Sequence, residues 1–320
     1  MVLKNNGKIN FLLHVCHGFD KILTGGVIAM HYLAYLLAKE GHNVYIFCKP
    51  EYPHENIHSI NCWITQNDSK KELGASRIGY KYDSFSYNHK NTVSIYPQTT
   101  WGNWFNTNHV ARWLLYNPEK DIENTWGEND YYFSYGKQNQ LINNIKEKEC
   151  QELIAMNFNF DKFKNLNKNR SGFCHLFHKH TSPGAEEFLI EINSKSLGNW
   201  TLDNNKDELF KLNEEFNKYE YFICYDQLSF WPQIAALCGC KVIVMNVKNN
   251  PNAYYDYNTT SKEYRLQNPL KKYGVAFGFS DLSHAVNTQY LVEDHLTEME
   301  NYNLDTVKNF ITFWENKCYG

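Results

Sequence analysis

The sequence predicts an α/β fold in two halves, each built on a parallel β-sheet. Apolar runs of a strand's length alternate with segments whose apolar residues recur every three or four positions, which is typical of parallel strands and crossover helices. The length of 320 residues allows about two domains at roughly 100–200 residues each. Hydrophobic residues make up 42% of the chain, which is enough for a core and excludes a disordered protein.

The first fifty residues predict the opening strand–helix–strand unit of a parallel sheet. Ile9–Val15 is an apolar run of strand length. Apolar residues three and four positions apart predict a helix from Val27 to Ala38, with Gly41 as its left-handed C-cap. Val44–Cys48 predicts a strand buried between helices, because its apolar run is almost continuous.

Three further elements complete the first half. Thr92–Tyr96 predicts a strand that Pro97 ends, and Tyr131–Tyr135 predicts a short aromatic strand. Between them, the apolar residues of His109–Leu115 predict a helix. That helix would end before Pro118, since the residue before a proline disfavours helical backbone.

A second series of strands and helices follows a segment rich in asparagine and lysine, which predicts an inter-domain linker at 157–171. Strands are predicted at 172–177, 221–225 and 241–245, and helices at 185–193, 209–217, 232–238 and 304–314. The predicted domains are two Rossmann-like halves, 1–156 and 172–303, and a C-terminal crossover helix within 304–320.

Charge and apolar content exclude several function classes. The 32 basic and 35 acidic residues give a net charge of -3, so no overall positive field exists to hold nucleic acid. No run approaches the roughly 20 apolar residues of a membrane-spanning helix, and no signal peptide is recognised. The nine cysteines lie in apolar runs and predict reduced thiols. We therefore expect a cytoplasmic protein, with peripheral membrane contact left open.

Ligands of open parallel sheets bind outside the carboxyl ends of the strands, so the strand-to-helix turns hold the candidate site residues. The first turn ends in Gly25 and Gly26, where the missing Cβ lets a ligand approach the backbone; a plain tight turn is the alternative. The second turn places Ser229 before a helix, where its hydroxyl and the helix amides would cradle a diphosphate. A simple helix cap is the alternative there.

Nucleotide-binding and metal-binding motifs restrict the class of ligand further. The sequence has neither Gly-x-Gly-x-x-Gly nor Gly-x-x-x-x-Gly-Lys-Ser/Thr, which argues against nicotinamide dehydrogenases and P-loop ATPases. Cys174, His175, His178 and His180 are of zinc-ligand types. Strand alternation puts His175 on the face opposite the other three, so we expect no metal site.

The most specific resemblance to known proteins lies at the second turn. There Tyr225 and Asp226 end a strand, Ser229 and Phe230 form a turn, and residues 235–244 form a helix end and a hydrophobic strand. This order resembles the donor-binding stretch of GT-B glycosyltransferases, in particular the glycosyltransferase-4-like group of surface-polysaccharide biosynthesis. Weaker likeness to the same enzymes covers 25–27 and 96–118.

The resemblance implies two Rossmann-like domains that face each other across a cleft, with a C-terminal helix returning to the junction. It implies a glycosyltransferase that moves a sugar from a nucleotide-sugar of the UDP or GDP type to a glycan or lipid-linked acceptor in polysaccharide or glycoconjugate biosynthesis. The donor is a co-substrate, and neither a cofactor nor a metal is implied. Oligomeric state is not implied.

The donor-binding residues follow from the same resemblance. The donor's diphosphate would meet Lys179 and the turn at Ser229, with Tyr225 and Phe230 beside it. In the retaining families two glutamates stand eight positions apart. Asp226 stands at the first position, so it is a catalytic candidate.

The resemblance also assigns an acceptor side. The acceptor would lie against the loop that ends in Gly25 and Gly26. If the reaction inverts, a base must take the acceptor's proton, and His17 or Asp20 in that loop would do so.

Two alternatives stay open at this point. The second glutamate position of the retaining families holds Ile234, which cannot bind a ribose hydroxyl. A nucleotide-sugar 2-epimerase of the same fold would use a donor without an acceptor. A glycan-binding protein that has kept the fold without catalysis is the other alternative.

Overall fold

The chain divides into two compact units. Unit 1 comprises Met1–Asn157 and Glu300–Gly320, and unit 2 comprises Phe158–Met299. The computed structural model describes residues 8–15, 25–48, 75–77, 90–116, 118, 120–135, 150–156, 158, 160, 162–176, 184–197, 208–225, 231–245 and 273–320. Both units carry a parallel sheet with helices, so the predicted α/β class with two Rossmann-like halves is confirmed.

The sheet of unit 1 has seven strands within the described ranges. They are β1 (Asn10–Val15), β2 (Asn43–Cys48), β3 (Ala75–Arg77), β4 (Thr92–Pro97), β5 (His109–Leu114), β6 (Tyr131–Ser134) and β7 (Cys150–Glu152). Their order is β3-β2-β1-β4-β5-β6-β7, and every pair is parallel. β1 and β4 are buried along their whole length, as expected for strands covered on both faces.

In the described part of unit 1, two helices connect strands. Helix α1 (Gly25–Lys39) links β1 to β2 and begins two residues before the predicted start at Val27. Its buried residues include Met30, Leu33 and Leu37, which recur at the helical spacing used to predict it. Gly41 follows with a φ of +89°, as its predicted left-handed C-cap requires. A short helix, α2 (Lys120–Glu123), lies between β5 and β6.

One buried titratable residue of α1 gives a pH-dependent prediction. His31 is 3% exposed, and burial lowers its pKa from 6.5 to about 4. Because the unfolded chain binds this proton more tightly, stability falls as the pH drops below 6.5. The loss amounts to about 2–3 kcal/mol at pH 4.5. His42, His109 and His175 are partly buried and also have lowered pKa values, so they contribute in the same direction.

Urea unfolding at pH 7 and pH 4.5 measures how much of this loss of stability is due to His31. The variant His31→Leu should lose about 2–3 kcal/mol less stability than the wild type between the two pH values. All other titrating groups are common to both proteins. Equal losses in the two proteins would contradict a neutral, buried His31.

The segment His109–Leu115 was predicted to be a helix, and this prediction is wrong. Residues His109–Leu114 form β5, which pairs in parallel with β4 and with β6. Five of its six residues are buried, including the charged Arg112. A segment buried on both sheet faces has no clear period, so its apolar spacing can match a helical template by chance.

Unit 2 contains a five-stranded parallel sheet in the described ranges. Its strands are β8 (Phe173–Leu176), β9 (Lys195–Ser196), β10 (Tyr221–Cys224), β11 (Lys241–Val244) and β12 (Val275–Phe277). They lie in the order β12-β11-β10-β8-β9. The helices are α3 (Ala185–Glu191), α4 (Glu208–Phe216), α5 (Trp231–Leu237) and α6 (Leu282–Thr288).

Arg170 ties several parts of unit 2 together. Its guanidinium donates to the main-chain oxygens of Phe216 and Cys238, at the carboxyl ends of α4 and α5. It also donates to the side-chain oxygen of Asn217. These bonds fix residues within the asparagine-rich segment 162–170 to unit 2 and satisfy carbonyl groups that a helix end leaves unpaired.

The last helix, α7 (Val292–Tyr319), belongs to both units. It starts earlier and ends later than the predicted 304–314. In unit 1 its aromatic side chains pack on the sheet, where Phe310 lies 5.9 Å from Phe11 and 4.7 Å from Phe133 between ring centroids. Within the described ranges no helix is long and apolar enough to cross a membrane.

Candidate functional site

Unit 2 has a topological switch point between β8 and β10. From β8 the chain continues to β9 on one side, and it then returns to β10 on the other side of β8. Leu176 and Cys224 pair at the carboxyl ends of these two strands. In open α/β sheets the connections that leave such a point in opposite directions form a ligand-binding crevice.

The predicted donor-site residues belong to the two segments that follow these strand ends. Lys179 follows β8, whereas Asp226, Ser229 and Phe230 follow β10. All four lie outside the described residues. The switch point was not predicted, and it shows that the strands preceding the two segments are neighbours in the sheet.

Tyr225, the remaining predicted donor-site residue, lies directly after β10. Its side chain is 4% exposed and packs in a core cluster with Ala185, Leu189 and Ile223. Burial raises the pKa of its hydroxyl. The side chain therefore joins α3 to the sheet at the switch point.

Helix α5 lies in the core of unit 2. All of its residues are buried, and Ile234 is completely shielded from solvent. The resemblance described above aligns Ile234 with the second glutamate of the retaining families. A carboxylate at this position would lose its hydration, so the isoleucine is consistent with a core role.

Cys174 and His175 of β8 both lie beside polar groups of the protein. Cys174 lies near the main-chain oxygen of Tyr221, whereas His175 lies 2.9 Å from the Ser194 hydroxyl through its Nδ1 atom. Burial raises the pKa of Cys174 well above its usual value. His178 and His180 lie outside the described residues, among which no group of three metal-ligating side chains occurs. The cysteines at positions 150, 174, 224, 238, 240 and 318 are free thiols.

Unit 1 has its own switch point between β1 and β4. The chain leaves β1 for β2 on one side and, after β3, enters β4 on the other side of β1. Leu13 and Ile95 pair near the carboxyl ends of these strands. The predicted acceptor-site residues His17 and Asp20 follow β1 and lie outside the described residues.

Gly25 and Gly26 form the first turn of α1 rather than the end of a loop. A Cβ added at Gly26 would lie 3.4 Å from the Cδ1 atom of Leu115, which is an ordinary contact distance. Side-chain packing at Gly26 therefore does not require a glycine. Its role in ligand approach stays a prediction.

The other arm of this switch point is the crossover from β4 to β5, residues 98–108, which contains no helix. At its start, the Thr100 hydroxyl lies 3.0 Å from Nδ1 of the buried His14, near the carboxyl end of β1. The Leu115 amide, just after β5, donates to the side-chain oxygen of Gln98. The first part of the crossover therefore lies at the carboxyl edge of the sheet.

Arg112 of β5 fixes the first part of this crossover through hydrogen bonds. Its side chain has no exposed surface, and its Nε donates to Asp130, which is 7% exposed, over 2.7 Å. Its Nη atoms donate to the main-chain oxygens of Thr100 and Gly102. The guanidinium also lies 4.8 Å from the ring centroid of Tyr96. Bonds to a charged group are the stronger class of hydrogen bond, so the crossover is firmly fixed.

No family model matches the chain, and no curated protein matches it. Among solved structures, a glycosyltransferase from Rickettsia africae ESF-5 is 11% identical, with a TM-score of 0.46 over 98% of this chain and 97% of its own. A sucrose-phosphate synthase from Thermosynechococcus elongatus is 12% identical, with a TM-score of 0.47 over 97% and 94%. Anabaena HepE, in complex with UDP and glucose, is 8% identical, with a TM-score of 0.42 over 97% and 98%.

The sequence did not predict a short crossover without a helix at 98–108 between two parallel strands. It carries two exposed tryptophans, Trp101 at 50% and Trp104 at 40%. Two tryptophans within four positions, beside threonine and asparagine, were the available signal. His109–Leu115 was interpreted as a helix. The short connection between two parallel strands was therefore not recognised.

Proposed function

We propose that the chain is a GT-B glycosyltransferase that transfers a sugar from a nucleotide-sugar of the UDP or GDP type to a glycan or lipid-linked acceptor. One observation carries the proposal. Leu176 and Cys224 end adjacent strands at the switch point of unit 2, and Lys179 and the Ser229 turn belong to the two segments that leave it. The sequence resemblance to GT-B enzymes identifies the same two segments.

Diphosphate stabilisation is the main chemical task of the donor side. When the sugar leaves, negative charge grows on the nucleoside diphosphate. The Lys179 ammonium offsets this charge, and the Ser229 hydroxyl and neighbouring main-chain amides donate hydrogen bonds to the phosphate oxygens. No metal is needed for this arrangement, and metal independence is part of the proposal.

Proton removal from the acceptor is the task of unit 1. The acceptor hydroxyl approaches the segment after β1, where His17 or Asp20 takes its proton as the new glycosidic bond forms. Asp226 is a further catalytic candidate on the donor side. Since α5 offers the buried Ile234 in place of a second carboxylate, ribose recognition uses other groups.

A thermal-shift screen with UDP-, GDP- and CMP-sugars tests the proposal and identifies the donor base. Stabilisation by one donor, followed by hydrolysis or transfer of its sugar, supports a glycosyltransferase. Conversion of the donor to an epimer without an acceptor would support the 2-epimerase instead. Stabilisation by glycans but by no nucleotide would support the binding protein.

Replacing Lys179 by alanine should weaken binding of the nucleoside diphosphate by about 1.5–3 kcal/mol, the range for hydrogen bonds to charged groups. This is about 10- to 150-fold in the dissociation constant, measured by isothermal titration with UDP and GDP. The matched control is Lys211→Ala on α4, which removes an exposed lysine of the same unit. Unchanged binding in Lys179→Ala would remove this residue from the site.

A further inference from the structure

Trp101 and Trp104 are two exposed tryptophans of the same short crossover, and we call the pair the tryptophan platform. Their exposed fractions are 50% and 40%, which is high for a side chain that is largely buried on average. Both lie in the 98–108 crossover, within an arm of the unit 1 switch point. The platform is therefore located where open parallel sheets bind ligands.

The platform is tied to the carboxyl end of β1. The Trp104 ring lies 5.2 Å from the ring of the buried His14 between centroids, with an interplanar angle of 37°. His14 also bonds the Thr100 hydroxyl, next to Trp101. The segment that carries the predicted base follows β1 directly. The tryptophans and the proposed acceptor side thus share one edge of the sheet.

Main-chain bonds on both sides of the tryptophans hold the platform in place. The Gly102 oxygen accepts from Arg112 over 2.7 Å, and its amide donates to the Thr125 hydroxyl over 2.9 Å. The Tyr96 hydroxyl donates to the Asn103 side-chain oxygen over 3.0 Å and accepts from the Phe105 amide over 2.8 Å. A surface fixed in this way loses little conformational entropy when it binds a ligand.

The chemistry of the platform points to an uncharged polar ligand. The exposed residues of the crossover are all aromatic, hydroxyl or amide: Thr99, Trp101, Trp104, Asn106 and Asn108. Between Pro97 and Tyr116 the one charged side chain is Arg112, which is buried and paired with Asp130. A phosphate or an anionic lipid headgroup would need an accessible cation, which this segment does not supply.

We propose that the tryptophan platform binds a sugar ring of the acceptor, so that the acceptor is a glycan recognised by its carbohydrate part. A pyranose ring has an apolar face of C–H groups that fits an indole surface, and its rim of hydroxyls can pair with neighbouring amide and hydroxyl groups. The inference rests on the proposed function, because it assigns the substrate class of the same site. On unit 1, the acceptor is then recognised by its sugar and not by a lipid or phosphate group.

The test measures binding of neutral trisaccharides to the full chain without any donor. Maltotriose, cellotriose and chitotriose are titrated, and saturation-transfer NMR locates the bound sugar protons. Trp101→Ala and Trp104→Ala should each weaken the bound trisaccharide about tenfold, whereas Trp101→Phe and Trp104→Phe should retain most of the affinity. The matched control is Tyr290→Ala, which removes a side chain that is 79% exposed in unit 2.

Two readouts separate this inference from the proposed function. UDP and GDP titrations of the same variants should match the wild type, because the donor-site candidates belong to unit 2 and the platform to unit 1. If the wild type binds a nucleotide but no trisaccharide, or the alanine variants bind sugars like the wild type, the inference is overturned and the transferase proposal stands. If no nucleotide binds but the platform binds a sugar, the transferase proposal fails instead. A dimer that dissociates in Trp101→Ala would also overturn the inference, since the platform would then be a subunit contact.

Discussion

Replacing Arg112 by methionine should lower the free energy of unfolding by about 3–5 kcal/mol, the cost of breaking a buried ion pair from one side. The substitution leaves the Asp130 carboxylate, 7% exposed, without its cation. It also removes the donors to the main-chain oxygens of Thr100 and Gly102. Urea unfolding followed by circular dichroism measures the loss.

An exposed ion pair supplies the matched control for this prediction. Lys308 and Asp305 form a pair on α7 whose side chains are 65% and 66% exposed. Lys308→Met should therefore leave the free energy of unfolding almost unchanged. Adding Asp130→Asn to Arg112→Met should recover part of the loss, since the unpaired charge disappears. A loss below about 1 kcal/mol in the single variant would show that Asp130 is hydrated, contrary to its burial.

The second large effect is expected at Trp314, where alanine should cost about 3–5 kcal/mol of stability. The indole is completely buried, and its neighbours include the rings of Tyr131 at 5.3 Å and Phe313 at 5.1 Å between centroids. His109 of β5 lies 5.8 Å away. The alanine removes the large side chain by which α7 packs on the sheet of unit 1, and it leaves a cavity.

The matched control for Trp314 lies near the end of the same helix. Tyr319 is 47% exposed, and Tyr319→Ala should lower the free energy of unfolding by less than about 1 kcal/mol. Hydrogen exchange should show faster opening of β5 and β6 in Trp314→Ala, with unit 2 protected as before. Equal loss of protection in both units would contradict a local role in unit 1.

Segments with a strong hydrophobic pattern could be predicted from the sequence. β1 and α1 were located to within one or two residues, because a buried strand is continuously apolar and a half-buried helix has one apolar stripe. The shortest strands, such as β9 at Lys195–Ser196, were not predicted. Two exposed residues at a sheet edge carry no hydrophobic pattern, so their pairing is set by the tertiary fold.

The candidate site could also be predicted only in part from the sequence. Turns after apolar strands predicted which segments could bind a ligand, since this follows from the sequence order of strands and helices. Strand order is set by packing, so the pairing of Leu176 with Cys224 could not be read from the sequence. The buried Arg112 escaped prediction for the same reason. Its partner Asp130 is distant in sequence, and only the sheet brings the two together.

The division of unit 1 between two parts of the sequence affects how the chain folds during synthesis. The ribosome makes all of Phe158–Met299 before it makes Phe310 and Trp314, which cover the aromatic side of the first sheet. Until those residues emerge, Phe11 and Phe133 lack their cover and are open to aggregation or to a chaperone. Unit 2 is complete at Met299, before Glu300–Gly320 of unit 1 is made, so the half that begins second along the chain is expected to reach its native state first.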